Sequence, residues 1–171
     1  MRNSGFSLVE LAIVMGIIGL LAVVATPSIG AMLDRANSAR CASNLRNIGV
    51  AVQQYISDND YRFPPIETDP PSLGNEGRTA LETLEPYGIT KAVLTCPADE
   101  VNHVKFGSSY HFSPVVQDEL ASNVNIYGRR GIFQVPSVGR LTICSDYEPV
   151  HAAAGRLGIN VLKADGRVIQ R

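Results

Sequence analysis

The chain has 171 residues, with 15 Lys and Arg set against 16 Asp and Glu, a net charge of −1 and a pI near 6.3. That length bounds it to one domain plus a tail. The charge balance argues against a nucleic-acid coat, since Arg129-Arg130 is a pair of the kind found in solvated loops and not a basic patch.

In chain order, a short polar head, Met1 to Gly5 with Arg2 as its positive charge, precedes an apolar run from Phe6 to Ala25. The run contains one charged residue, Glu10. As a helix it measures about 30 Å, roughly one bilayer core. A carboxylate there costs about 2.5–3.5 kcal/mol at the bilayer centre and less near the interface, so Glu10 calls for a partner. A cleavable secretory signal is one reading, with Ala22 to Ala25 as its small-residue site, but the run is longer than such signals and Glu10 interrupts it. An uncut signal anchor leaves Glu10 unexplained.

Beyond Pro27, which is expected to bend or locally melt a helix, apolar residues from Ile29 to Ile56 recur at steps of three and four. That periodicity predicts an amphipathic helix over 29–60, stopping at the turn-forming Ser57-Asp58-Asn59-Asp60 before Pro64-Pro65. The two helices joined would span about 80 Å. Residues Ile66 to Asn75 read as loop. Thr79 to Tyr87 read as a short helix with Leu81 and Leu84 inward, and Ala92 to Asp99 as a segment entering a turn at Pro97. Ser109–Phe112, Asn125–Tyr127 and Leu141–Ser145 are predicted strands. Ile159–Leu162 and Arg167–Ile169 flank Asp165-Gly166 as a hairpin. The fold class is α+β: a long N-terminal α-helix whose second half packs on a small antiparallel β-sheet.

No Gly-x-Ser-x-Gly, His-Glu-x-x-His or glycine-rich phosphate loop is present. Cys144, Asp146 and His151 form the nearest approach to a nucleophilic set, and a core cysteine among polar residues accounts for them as well. The chain is therefore read as no enzyme. Three cysteines, Cys41, Cys96 and Cys144, allow one disulfide with one thiol over if the globular part lies in an oxidising compartment, or else three buried thiols.

Gly5-Phe6-Ser7-Leu8-Val9-Glu10, with Arg2 before it and the apolar run behind, resembles the processing site of type IV pilins and of type II secretion pseudopilins. The resemblance implies cleavage after Gly5 by a prepilin peptidase and N-methylation of Phe6. It implies that Glu10 pairs with the amino terminus of a neighbouring copy during assembly, and it fits Pro27 just past the apolar segment. The segments Cys41 to Gly49, Asp58-Asn59-Asp60, Phe63-Pro64-Pro65 and Cys96-Pro97-Ala98-Asp99 resemble a pseudopilin-like group of planctomycetes and verrucomicrobia. That group's tail signature is a histidine, nine residues and Asp-Gly. Here Gly158 to Val168 matches, but thirteen residues, not nine, lie between His151 and Asp165, so its equivalence is open.

The implied organisation is a leader (1–5), a transmembrane and assembly helix (6–28), an amphipathic helix (29–60) and a periplasmic globular part (61–171). The implied function is a non-catalytic subunit of a type II secretion pseudopilus. Alternatives are a minor type IV pilin for adhesion, motility or DNA uptake, and a membrane-anchored periplasmic binding or enzymatic domain. The partners implied are copies of itself and other pseudopilins, the prepilin peptidase, the inner-membrane assembly platform and the membrane, with no nucleic acid. Cys41 and Cys96 are the disulfide candidates. No cofactor is expected; Asp146, Glu148 and Asp165 are the calcium alternative, because major pseudopilins often bind calcium near the C-terminus.

Overall fold

A computed structural model describes residues 7–66, 78–116, 118–122, 124–128, 131–134, 137–151 and 158–171, with the side chains of 24–28, 126–128 and 131–134 left aside. Helix α1, Leu8–Asp58, runs for 51 residues, about 76 Å. Ser7 caps it in extended backbone, its side chain accepting from the first turn while Glu10 accepts from the Ser7 N–H. The helix passes through Pro27 without a break, which corrects the expected local melting. Proline removes one ladder bond, and the turns on either side still hold theirs. The helix ends near the expected cluster, where Asp60 and Tyr61 take positive φ.

Burial of the second half begins later than periodicity suggests. Ser38, Cys41, Ala42, Leu45, Ile48, Val52 and Ile56 form the packed stripe, whereas Ile29, Met32 and Leu33 are exposed. The reason is reach: the last sheet strand meets the helix at Ser38, whose Oγ accepts from Gln170 Nε2 at 3.1 Å. Among the described residues, no helix is long and apolar enough to cross a membrane. The described apolar side chains of the first half run from Leu8 to Val23, about 24 Å; of the rest of the segment expected to span, Phe6 and the side chains of 24–28 lie outside the description.

The sheet has the order β1-β4-β5-β6 and is antiparallel throughout, with β1 Tyr110–Phe112, β4 Thr142–Asp146, β5 Asn160–Lys163 and β6 Val168–Gln170. β2 Asn125–Gly128 and β3 Gly131–Gln134 form a separate hairpin. Its connection, Arg129-Arg130, lies outside the described residues. The expected strands fall at β1, β2 and β4, and the Asp-Gly hairpin joins β5 to β6, Gly166 adopting φ +82°. β3 was not expected from the sequence.

Helix α1 packs chiefly on β5 and also on β6. A Cβ on Gly49 would come to 3.0 Å from Leu162 Cδ1, so the glycine lets the helix backbone approach the sheet. Cys41, Leu45, Ile48, Val52, Phe63, Leu84, Leu94, Tyr110, Cys144 and Leu162 are the centre of one core. Burial pushes the Tyr110 hydroxyl well above its usual range, although the bond from Asn44 Nδ2 (3.2 Å) works the other way.

Two short helices cover the flank. α2, Ala80–Leu84, carries a Thr79/Glu82 capping box and continues as a tight turn through Tyr87, with Leu84 buried and Leu81 half-buried. α3, Asn102–Phe106, was not foreseen. The Cys-Pro-Ala-Asp element explains it: Asp99 accepts from the backbone N–H of Val101 (3.1 Å), Asn102 (2.8 Å) and His103 (3.0 Å). Burial raises the Asp99 carboxyl, but bonds from Ser109 and these amides outweigh it and hold the group below its usual value of 3.8. A lowered folded value means stability gained above about pH 4 and lost as pH falls through that value. Asp99→Ala should cost about 1–3 kcal/mol at neutral pH, leaving the buried Asn102 amide unpaired. The gap to wild type in thermal melts should narrow toward pH 3.

Candidate functional site

Among the described residues, nothing covers the apolar side chains of the first half of α1. Leu8, Val9, Leu11, Ile13, Val14, Met15, Ile17, Ile18, Leu20, Leu21 and Val23 are all exposed, from 46% at Val14 to 85% at Leu8. They lie on every side of the helix, a pattern that belongs to a helix surrounded by apolar material. Gly16 and Gly19 have nothing within 4 Å of an added Cβ, which leaves room for another helix to approach.

Glu10 sits in the first turn of this exposed segment. Its Oε2 accepts from the Ser7 N–H at 2.9 Å, and Ser7 Oγ accepts from Val9 N–H at 3.4 Å. The carboxylate thus closes on the positive end of the helix, where negative charge is favoured. Gly5 and Phe6, the expected cleavage junction, lie outside the described residues, as does the side chain of Pro27.

A second constellation is buried where the helix first meets the sheet. Cys41 and Cys96 form a disulfide across a sequence separation of 55, with Cα atoms 5.3 Å apart. The Cys96 N–H donates to Ser109 Oγ at 2.9 Å. His151, fully buried, places Nε2 3.3 Å from Cys96 Sγ and 3.8 Å from Asp146 Oδ2. Its Nδ1 faces Asp34 Oδ1 of α1 at 3.9 Å. Asp146 Oδ2 accepts from the backbone N–H (2.7 Å) and Nδ2 (3.0 Å) of Asn160. Burial pushes the Asp146 carboxyl above its usual value, against the pull of Asn160 and His151. Among the described residues, His151 Nδ1, Asp146 Oδ1 and Asn160 Oδ1 have no hydrogen-bond partner.

Gly158 holds this corner, its carbonyl oxygen accepting from the His151 N–H at 3.0 Å. It sits at φ +65°, and a Cβ there would lie 2.9 Å from the His151 carbonyl oxygen. The sequence offered Gly158 only as the first residue of a tail match; its need for a left-handed backbone was not readable there.

The structure distributes the remaining candidates plainly. Cys144 is buried and unpaired, and burial, with Asp146 nearby, drives its thiol well above the usual value. A thiol of that kind is inert, which speaks against the nucleophilic set with Asp146 and His151. Asp165 is a turn residue: its carboxylate accepts from Arg167 N–H at 3.1 Å and Arg167 Nε at 2.7 Å. Glu148 is exposed. Among the described residues, the ligand atoms close enough to share a metal belong to Cys41, Cys96 and His151, and that group includes neither Glu148 nor Asp165.

Comparison with known proteins bears on the first of these two regions. Residues 1–26 match the model of the prokaryotic N-terminal methylation motif. The chain is 32% identical to a type IV major fimbrial protein FimA of Dichelobacter nodosus over 98 residues, 56% of this chain and 61% of that protein. It is 37% identical to the type IV major pilin protein PilA of Myxococcus xanthus over 59 residues, 34% and 27% of the two chains. It is 31% identical to the type II secretion system core protein G of Aeromonas hydrophila over 81 residues, 47% and 56%. The chain thus spans less than two thirds of each of these relatives. No solved structure matches it at the significance these relatives reach. The motif match and the relatives make the chain similar, over part of its length, to type IV pilins and to a type II secretion core protein. The chain's long helix on a four-stranded antiparallel sheet is the α+β, pilin-like architecture expected from the sequence.

Closing a 55-residue separation removes about 4 kcal/mol of unfolded-chain entropy in the loop model, and native disulfides typically contribute about 2–4 kcal/mol. Replacing both Cys41 and Cys96 by serine should lower unfolding free energy by that amount in denaturant titrations. Cys144→Ser should cost less, since no bond is lost.

Proposed function

We propose that this protein is a prepilin-like structural subunit without catalytic chemistry, cut between Gly5 and Phe6, N-methylated at Phe6 and polymerised into a type II secretion pseudopilus. The observation that carries this is the sleeve of uncovered apolar side chains from Leu8 to Val23, with one carboxylate at its head. Such a surface needs lipid first and neighbouring helices afterwards. Before assembly the helix holds the chain in the inner membrane, Arg2 on the cytoplasmic side and the globular part in the periplasm. The prepilin peptidase and the inner-membrane assembly platform are its processing and export partners.

Removing residues 1–5 creates a new amino group on Phe6, one position before Ser7, whose N–H Glu10 already accepts. A carboxylate drawn out of water is tolerated when paired. The amine of an adjoining copy supplies that pairing and sets the register between subunits. A minor type IV pilin is the second reading; the fimbrial and pilin relatives, both named as major subunits, favour a pilin without favouring the minor rank, just as the core protein G favours a pseudopilin.

Mass spectrometry of the chain from membranes with an active prepilin peptidase should show methylated Phe6 as the first residue; a chain still starting at Met1 would overturn the reading. Glu10→Ala should be cleaved normally yet be lost from sheared filaments. Normal incorporation would reject the pairing. Deletion should abolish secretion and spare twitching motility if the filament is a pseudopilus, and do the reverse if it is a pilus.

A further inference from the structure

The buried corner between α1, β4 and the loop to Gly158 contains more chemistry than a structural disulfide needs. Two sulfurs, an imidazole and a carboxylate converge there, all out of solvent. We propose that in the dithiol form of the protein Cys41, Cys96, His151 and Asp146 bind Zn2+, and that metal and disulfide are alternative states of one site.

The spacing supports this. In a tetrahedral zinc site with Zn–S about 2.3 Å and Zn–N about 2.0 Å, neighbouring ligand atoms stand roughly 3.3–3.8 Å apart. His151 Nε2 is already 3.3 Å from Cys96 Sγ and 3.8 Å from Asp146 Oδ2, and the ligand atoms of Cys41, Cys96 and His151 lie within 4.8 Å of one another. To complete the site the two sulfurs must separate and Asp146, which lies outside that three-residue group, must close on them. The supporting shell is also in place. Asn160 fixes the Asp146 carboxylate through two bonds, and a carboxylate, Asp34, faces the Nδ1 of His151, as outer-shell carboxylates do behind metal-bound imidazoles.

An orphaned atom points the same way. Asp146 Oδ1 is buried with no hydrogen-bond partner among the described residues, an arrangement costing about 1–3 kcal/mol. A cation between imidazole and carboxylate offsets that cost. The donor set selects the metal: two thiolates and one imidazole suit zinc, whereas calcium needs six to eight oxygens.

The chemistry balances without a further cofactor. Every newly made chain begins as the dithiol. Zinc binding releases one proton from each thiol to solvent, and neither sulfur changes oxidation state. Reaching this form from the disulfide takes two electrons and two protons from a dithiol reductant, which itself becomes a disulfide.

The test uses the full chain in detergent, reduced with a phosphine and titrated with Co2+ as the probe. A one-to-one complex should appear, with a thiolate-to-cobalt band in the near ultraviolet and strong visible ligand-field bands, and Zn2+ should abolish both. The charge-transfer band should be lost in Cys41→Ser and Cys96→Ser, and unchanged in Cys144→Ser. The ligand-field bands should shift in His151→Ala and in Asp146→Asn. Asn160→Ala should weaken binding by about 10–100-fold. Absent bands, bands unaltered in His151→Ala, or bands lost in Cys144→Ser would each overturn the assignment. A second reading avoids variants that fail to fold: alkylation of Cys41 and Cys96 in the reduced wild-type chain, followed by mass. Zn2+ should suppress it and a chelator restore it; a rate indifferent to Zn2+ also overturns the proposal.

Discussion

The seam between α1 and strand β5, where Gly49 lets the helix backbone settle against Leu162, is the contact on which the globular part depends. A four-stranded sheet of three- to five-residue strands has little stability alone. It needs a second layer, and the helix stripe from Cys41 to Ile56 is that layer. The sheet in turn decides how much of the helix is covered. Its outermost strand reaches Ser38; before that point Asp34 still faces His151, while the apolar side chains from Leu8 to Val23 stay exposed.

The uncovered half poses a question of magnitude. Fully burying a large aliphatic side chain is worth about 1.5–3 kcal/mol. Even at half that value, the eleven exposed residues from Leu8 to Val23 sum to on the order of 10 kcal/mol. Glu10 opposes this by about 3 kcal/mol at most in a membrane. The apolar surface therefore wins, and the carboxylate does not prevent insertion. It does make the helix asymmetric. One end carries a charge that closes on its own Ser7 N–H and gains from a stronger cation, while the rest is indifferent to which apolar neighbour it meets. That combination of non-directional attraction with one directional charge is suited to stacking identical helices in a fixed register.

Much of this was legible in the residues. The 3.6-residue period of Cys41 to Ile56 and the all-round apolar character of the first half are both strong signals over many residues, and both specify where partners must lie. The final hairpin was legible because Asp165-Gly166 names its own turn, Gly166 alone tolerating φ +82° without cost. Where the reading failed, the elements were short or the cause was distant. α3 depends on one carboxylate, Asp99, collecting three amides. β3 is four residues without alternation. The exposure of Ile29, Met32 and Leu33 is set by the length of a sheet more than a hundred residues downstream. Periodicity marks which face is apolar, not whether anything arrives to cover it. The convergence of His151 with Asp146 and the Cys41–Cys96 pair is of the same kind, since it needs Gly158 to close the loop behind the histidine.

The position of the disulfide gains meaning from this division of the helix. Cys41 is one turn beyond Ser38, at the boundary where the uncovered half ends and the packed half begins. A long helix free over its first half acts as a lever on the first contacts of its second half. Without a covalent tie, peeling would start there, because the end of a packed stripe has neighbours on one side only and opens at lower cost than the middle. Linking Cys41 to Cys96 anchors the first buried turn to the segment that also carries α3 and abuts β1 through the Cys96–Ser109 bond. His151 and Asp34 add a polar contact across the same boundary. The sequence thus places its only cross-link in the described chain where a load on the apolar helix would enter the globular part, and leaves the better-packed centre, around Leu45, Ile48 and Leu162, to hydrophobic contact alone.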